Sequence, residues 1–189
     1  GMGEPFLNYK KVVESAKIIN EKIGLGARRI TISTSGIVSK IYLMADERLP
    51  FKLAVSLNAP SDEIRKEIMP ITITNPINEL LKAAEYYYSK LRRFVTFEYV
   101  LLDNVNSDEQ CAHHLIKLLK NIPCKENIIP YNEIDSQYKR PKSKVINNFV
   151  RILDDAPFTT TIRWSKGTNI DAGCGPVSYT HLTLPTKLA

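Results

Sequence analysis

The chain has 189 residues, 43% of them hydrophobic and 24% charged, with a formal net charge of +6. That is the composition of one soluble globular domain with a sizeable core. No apolar run approaches the roughly 20 residues of a membrane-spanning helix, and no charged start leads into an apolar signal-like stretch, so no membrane partner is expected.

Helical and strand patterns alternate along the chain. Residues Asn8 to Ile23 carry Val12, Val13, Ala16, Ile19 and Ile23 near helical spacing, and Gly24 and Gly26 stop the run. Arg29 to Thr34 alternates like a strand and is rich in β-branched residues. Ile37 to Asp46 reads as a short helix, and Leu53 to Leu57 as a short apolar strand. Ser61 opens a helix to Ile68, with Asp62 and Glu63 in its first turn. Ile77 to Lys90 is a longer helix following Pro76. Phe94 to Leu102 is the clearest strand, and Ser107 to Asn121 is a helix with Ala112, Leu115, Ile116 and Leu119 on one face. Asn127 to Pro130 is a short strand, Lys142 to Leu153 a helix and Thr159 to Trp164 a last strand. Such alternation with short loops predicts an α/β fold, a parallel sheet with helices outside it. Periodicity alone leaves two architectures open, a barrel of β/α units and an open doubly wound sheet.

The two ends read differently from the middle. Gly1-Met2-Gly3-Glu4-Pro5 looks like a strand end feeding a loop, so a preceding strand is expected upstream. Pro176 to Thr186 resembles a translated adapter from transposase-based sequencing libraries. On that reading residues 176–189 are non-native and Gly175 is the last native residue; the other reading is a short C-terminal strand. Cys111, Cys124 and Cys174 are odd in number and unpaired in spacing, which fits a reducing, cytoplasmic setting.

In either parallel architecture, ligands bind at the C-terminal ends of the strands. Those ends read Gly3-Glu4-Pro5, Ser33-Thr34-Ser35-Gly36, Ser56-Leu57-Asn58-Ala59-Pro60, Asp103-Asn104 and Pro130-Tyr131-Asn132. Each alone is also turn or cap chemistry. Together they put small, amide and hydroxyl side chains on one rim, suited to a polar, zwitterionic ligand of nucleotide size.

These segments, with Phe97-Glu98-Tyr99-Val100-Leu101-Leu102 and Asp171-Ala172-Gly173-Cys174-Gly175, resemble in order and spacing one family. It is the radical S-adenosylmethionine (SAM) adenine methyltransferases of ribosomal and transfer RNA, the RlmN/Cfr group. The resemblance runs from Gly1 to Gly175. It implies a partial radical-SAM (β/α) barrel and a SAM site at Gly3, Glu4, Ser35, Ser56, Leu57, Asn58 and Asn132. Gly3 and Glu4 would hold the amino group; the family often carries His where this chain has Asn58.

The resemblance also implies a methyl-carrying thiol at Cys174. In the family that sulfur is methylated by one SAM. A second SAM, cleaved at a reduced [4Fe–4S] cluster, gives the radical that activates the methyl group. The C2 carbon of adenine is electron-poor, so direct transfer from a sulfonium fails where a carbon radical succeeds. The cluster's three cysteines, the cysteine that resolves the adduct and an accessory helical domain are expected outside this chain, leaving the chain itself inactive. Implied partners are ribosomal RNA, possible transfer RNA and an electron donor, with the protein acting as a monomer.

Cys111 lies in a helix and Cys124 at a strand entry, so both read as buried structural thiols. Lys139-Arg140-Pro141-Lys142-Ser143-Lys144 is either an RNA-phosphate grip or a solvated loop. His113 and His114 lack a third ligand nearby, and Tyr86-Tyr87-Tyr88 reads as helix packing. Methylation at C8 instead of C2, another β/α-barrel enzyme such as an aldolase or a different radical-SAM protein, and a non-catalytic RNA-binding module stay open as alternatives.

Overall fold

Apolar residues at period two along the strands and at helical spacing between them decide where the core forms. A computed structural model describes residues 3–133 and 137–164. Cys174 and residues 176–189 lie outside the described residues. The helices are α1 (Tyr9–Glu21), α2 (Val38–Asp46), α3 (Asp62–Ile68), α4 (Ile77–Leu91), α5 (Glu109–Leu119) and α6 (Ser143–Leu153). The strands are β1 (Thr31–Thr34), β2 (Lys52–Ser56), β3 (Val95–Leu101), β4 (Cys124–Pro130) and β5 (Thr159–Ile162).

All neighbouring strands pair in parallel, in the order β1-β2-β3-β4-β5. A doubly wound sheet reverses its order at a switch point. This one does not, so the strands form a singly wound α/β arc of the barrel type, as the resemblance implied. With crossovers of one hand, a sequential order puts the connecting helices on one face. The core agrees. Ile32, Leu53, Val55, Val95, Phe97, Tyr99, Leu101 and Ile128 share one buried cluster with Val13, Ile41, Leu80, Leu115 and Phe149 from the helices.

The alternate residues point to the opposite, inner face. Ser56, Glu98, Asn127 and Thr161 stand side by side in register across four strands. Ser35 sits one residue past the end of β1, level with that row. Nearer the C-terminal edge the inner face turns apolar, and Val100, Leu102, Ile129 and Tyr131 pack against Ala59, Ile68 and Met69. The segment carrying α3 therefore folds over the strand ends instead of joining the outer helical layer.

Two strands start two or more residues away from where their sequence patterns begin. Ala27–Arg29 winds into a 3₁₀ turn, so β1 begins at Thr31. β4 begins at Cys124, because Cys124, Lys125 and Glu126 pair with Val95, Thr96 and Phe97. Two charged residues in that stretch hid the strand. The three tyrosines of α4 are packing groups, as their spacing implied. Tyr87 is buried and donates to the Phe51 carbonyl at 2.9 Å, and Tyr88 stacks on Phe94.

One core group conflicts with its surroundings. Glu126 is fully buried on the helical side, and neither carboxyl oxygen has a hydrogen-bond partner; the Thr160 hydroxyl beside it in register has none either. Burial first, and the Glu98 charge second, push its pKa well above the usual carboxylate range. Glu126 is thus held as the neutral acid, and the folded chain binds a proton that the unfolded chain releases above about pH 4.3. Its contribution to stability is intact below that pH and falls as pH rises toward the folded-state pKa. We predict that Glu126→Leu raises stability near neutral pH by about 1–3 kcal/mol, by removing unsatisfied buried oxygens. Urea melts should show that gain shrinking as pH falls toward 4, and a pH-independent difference would contradict it.

Candidate functional site at the strand ends

The first site residue is fixed by capping. Glu4 precedes a 3₁₀ turn, Pro5–Asn8, and its Oε1 accepts from the Phe6 amide at 2.9 Å. The same oxygen accepts from the Thr34 hydroxyl at 2.6 Å. Its Oε2 accepts from the Ser35 amide at 2.6 Å and the Ser35 hydroxyl at 2.7 Å. Four donors on two oxygens satisfy about all the lone pairs a carboxylate offers. Glu4 therefore ties the Gly3-Glu4-Pro5 segment to the end of β1.

Arg65 does the corresponding work for β2, and the sequence reading passed over it. It is fully buried. Its Nε donates to the Leu57 carbonyl at 2.9 Å. Its Nη2 donates to the carbonyls of Ser35 at 2.7 Å and Ser56 at 3.0 Å. Its Nη1 donates to the Thr72 hydroxyl at 2.9 Å and the Asn75 carbonyl at 3.3 Å. One planar fork thus gathers the ends of β1 and β2 with the loop after α3. Gly36 is needed beside it. Its φ is +103°, and a Cβ there would stand 3.0 Å from Leu80 Cδ1 and 3.4 Å from Arg65 Nη2. The one sequence signal for Arg65 was its place three and four residues before the inward Ile68 and Met69.

Asn58 and Asn106 fix β3 against β2. Asn58 adopts a left-handed φ of +58°, ending the β2 run. Its Oδ1 accepts from the Val100 amide at 2.9 Å, standing in for a ladder partner. Asn106 is buried; its Oδ1 accepts from the Leu102 amide, and its Nδ2 donates to the carbonyls of Asn58 and Val100. Asn58 is 1% exposed, so its side chain acts here as a brace within the rim. Asn132 closes the row at the end of β4, 5% exposed, with no side-chain hydrogen bond among the described residues.

Gly3, Glu4, Ser35, Ser56, Leu57, Asn58 and Asn132 therefore meet on one edge of the sheet, although 129 positions separate the first from the last. Ser35 and Ser56 are half-buried, and Leu57 is buried in the core. Cys174 falls outside the described residues. Cys111 and Cys124 are buried free thiols, each pushed up to about 12 chiefly by burial, so both stay protonated and inert. Among the described residues no group of three His, Cys, Asp or Glu side chains is placed to hold a metal ion. A separate groove of about 750 Å³ lies between the loop after β3 and α6, lined by Asp103, Ser107, Asp108, Lys144 and Arg151. It contains none of the seven residues assigned to the SAM site and mixes both signs of charge.

The model of the radical SAM superfamily matches residues 1–115. This chain belongs to the radical SAM superfamily. Among curated relatives, the probable dual-specificity RNA methyltransferase RlmN of Thermoanaerobacter sp. (strain X514) is 44% identical over 96% of this chain and 54% of its own length. That of Dictyoglomus thermophilum is 47% identical over 96% of this chain and 53% of its own. A crystal structure of a radical SAM methyltransferase from Sphaerobacter thermophilus superposes with a TM-score of 0.88 at 42% identity, covering 92% of this chain and 52% of that one. The chain thus spans about half the length of the relatives it matches. A domain of pyruvate-formate lyase-activating enzyme from Bacteroides vulgatus shares the fold at 17% identity and a TM-score of 0.67. Both structural neighbours agree with the arc of parallel strands described above.

If Arg65 organises this radical SAM rim, removing its fork should cost more than an ordinary buried side chain. Arg65→Met leaves several buried carbonyls without donors, and a loss on the order of 4 kcal/mol is expected in urea denaturation. Arg65→Lys should recover less than half, since a point charge cannot span the same acceptors. Equal stability of Arg65→Lys and the wild type would contradict the account.

Proposed function

We propose that this chain is the SAM-binding portion of a radical SAM enzyme that methylates C2 of adenine in large-subunit ribosomal RNA, and in transfer RNA as well. The observation that carries the reading is the meeting of seven motif residues on one polar rim, in a chain resembling RNA methyltransferases along nearly its whole length.

The rim suits the ligand. SAM presents an ammonium, a carboxylate, a sulfonium and a nucleoside, and needs donors and acceptors spread along one line. The Ser56 hydroxyl and the Asn132 amide supply both kinds, while the Ser35 hydroxyl, which donates to Glu4, offers acceptor capacity. The Glu4 carboxylate already accepts from four donors, so backbone oxygens of the Gly3–Glu4 segment are the better acceptors for the ammonium. Glu4 then acts by holding that segment in place.

When bound, SAM supplies both the methyl group and the radical chemistry that an electron-poor ring carbon requires. The residues here bind and orient it. The thiol of Cys174, in its glycine-rich Asp171-Ala172-Gly173-Cys174-Gly175 context, is assigned the methyl carrier.

RNA is the partner that fits the remaining surface. The Lys139–Lys144 loop is joined to the end of β3, where the Asp103 amide donates to the Lys139 carbonyl at 2.9 Å. Arg140 lies over the Trp164 ring at 5.8 Å, just beyond β5. Basic side chains beside an exposed aromatic ring at a rim suit an RNA backbone with an unpaired base.

The test uses the complete reading frame to which this chain belongs. Expressed in a bacterium lacking its own adenine-C2 methyltransferase, it should restore 2-methyladenosine in ribosomal RNA, read by mass spectrometry of digested nucleosides. Cys174→Ala should abolish that signal. Appearance of 8-methyladenosine, or full activity of the alanine variant, would overturn the assignment.

A further inference from the structure

The chain's net charge of +6 does not come from the ligand rim. There Glu98, Asp103, Asp108, Glu109 and Glu133 offset the cations of the Lys139–Lys144 loop. The opposite end of the strands is different. All strands are parallel, so the residues that open them share the N-terminal edge of the sheet. Arg28 and Arg29 lie in the 3₁₀ turn before β1, and Lys52 is the first residue of β2. Arg92 and Arg93 precede β3, and Lys125 is the second residue of β4. All of these but the half-buried Arg93 are exposed. The carboxylates of this edge are Glu21 at the end of α1, Asp46 and Glu47 at the end of α2, and Asp154 and Asp155 before β5. Asp46 and Glu47 accept from the Tyr86 and Tyr9 hydroxyls at 2.6 and 2.8 Å. The segments joining α4 to β3 and α5 to β4 carry no carboxylate.

An aromatic stack stands among these cations. Phe94 is 49% exposed and stacks on Tyr88, with ring centroids 5.4 Å apart and 8° between the planes. Arg92 ends α4 in a left-handed conformation, φ +53°, and its guanidinium lies over the Tyr88 ring at 5.8 Å. Arg93 donates to the Pro50 carbonyl and so ties the loop before β3 to the loop before β2. The stack is thus fixed by its neighbours, while half of Phe94 faces solvent. A flat ring backed by a second ring, with guanidinium and ammonium groups around it, suits an unpaired base and its flanking phosphates. A membrane surface would ask for a broad apolar face, which this edge lacks.

We propose that the N-terminal edge of the sheet, built by Arg28, Arg29, Lys52, Arg92, Phe94 and Lys125, is a second RNA-binding surface that holds a single-stranded stretch of RNA away from the ligand rim. This rests on the reading of RNA as the partner and gives it a second point of attachment. The seven residues of β3 separate the two ends by about 20 Å. Stacking on Phe94 tolerates any base and the cations meet only phosphates, so the surface adds affinity without choosing a sequence.

The test is equilibrium binding to the 189-residue chain, with fluorescence anisotropy of an oligoadenosine RNA and of an abasic strand of equal length and charge, and sedimentation with anionic phospholipid vesicles. The wild type is expected to bind the RNA about tenfold more tightly than the abasic strand, the scale of one stacked base. Replacing three cations together, Arg28→Gln, Arg29→Gln and Arg92→Asn, should weaken both strands and make the slope of log affinity against log salt shallower by about two. Asparagine at position 92 tolerates the left-handed conformation. Phe94→Leu should erase the preference for RNA over the abasic strand. Both effects should persist when Lys142→Gln and Lys144→Gln remove cations from the rim loop. Amide spectra report folding, and the exposed Arg28 and Arg29 keep the test open if Phe94→Leu fails to fold. If the wild type binds RNA but the arginine variant keeps its salt slope, or folded Phe94→Leu keeps the preference, the second surface is wrong and the RNA reading stands. If the wild type binds neither strand, both are wrong. Vesicle binding through these arginines without RNA binding would also overturn the proposal.

Discussion

One buried guanidinium organises the functional edge of this protein. Parallel strands end with their carbonyls pointing into loops, and a rim built of such ends tends to leave acceptors without donors. Arg65 answers several of them at once, from the ends of β1 and β2 to the loop after α3. Because those carbonyls converge, the neighbouring hydroxyls of Ser35 and Ser56 are brought into one line. Gly36 follows from the same constraint, since only a residue without a Cβ fits between Leu80 and the guanidinium in that backbone conformation. Glu4 then couples the preceding segment to the same edge through the amide and hydroxyl of Ser35.

The rim separates charge by surroundings. Glu4 has its oxygens fully occupied and serves as a clamp, whereas Glu98 retains acceptor capacity on the open face. Glu126, one strand away from Glu98 on the other side of the sheet, is kept neutral by burial. Three residues of one chemical type thus take three roles because the pleat sends neighbours to opposite faces. The amides divide similarly: Asn58 and Asn106 brace β2 against β3, and Asn132 is left to the ligand side.

Much of the fold was legible because period and length agreed with each other. The long amphipathic patterns of α1, α4 and α6 and the apolar run of β3 named themselves. Strand order was not legible, since helical periodicity is the same in a barrel and in a doubly wound sheet; the pairing register decided it. The rim residues were readable as a set, because small and amide residues recur at successive strand ends. Their division of labour was not. Glu4 looked like a group for an ammonium, and nothing local announces that Thr34 and Ser35 saturate it. Arg65 went unmarked within a short charged helix, because its acceptors are backbone carbonyls that carry no sequence signature. Glu126 sat in a stretch whose charges masked the start of β4.

A crystal structure of the protein grown with SAM would test the central claim most directly. The account predicts the cofactor across the C-terminal ends of β1 to β4, in contact with Ser35, Ser56 and Asn132, with the Arg65 fork unchanged behind it. Cofactor bound instead in the groove between the loop after β3 and α6, or a rim that rearranges so that Arg65 leaves the strand carbonyls, would contradict it.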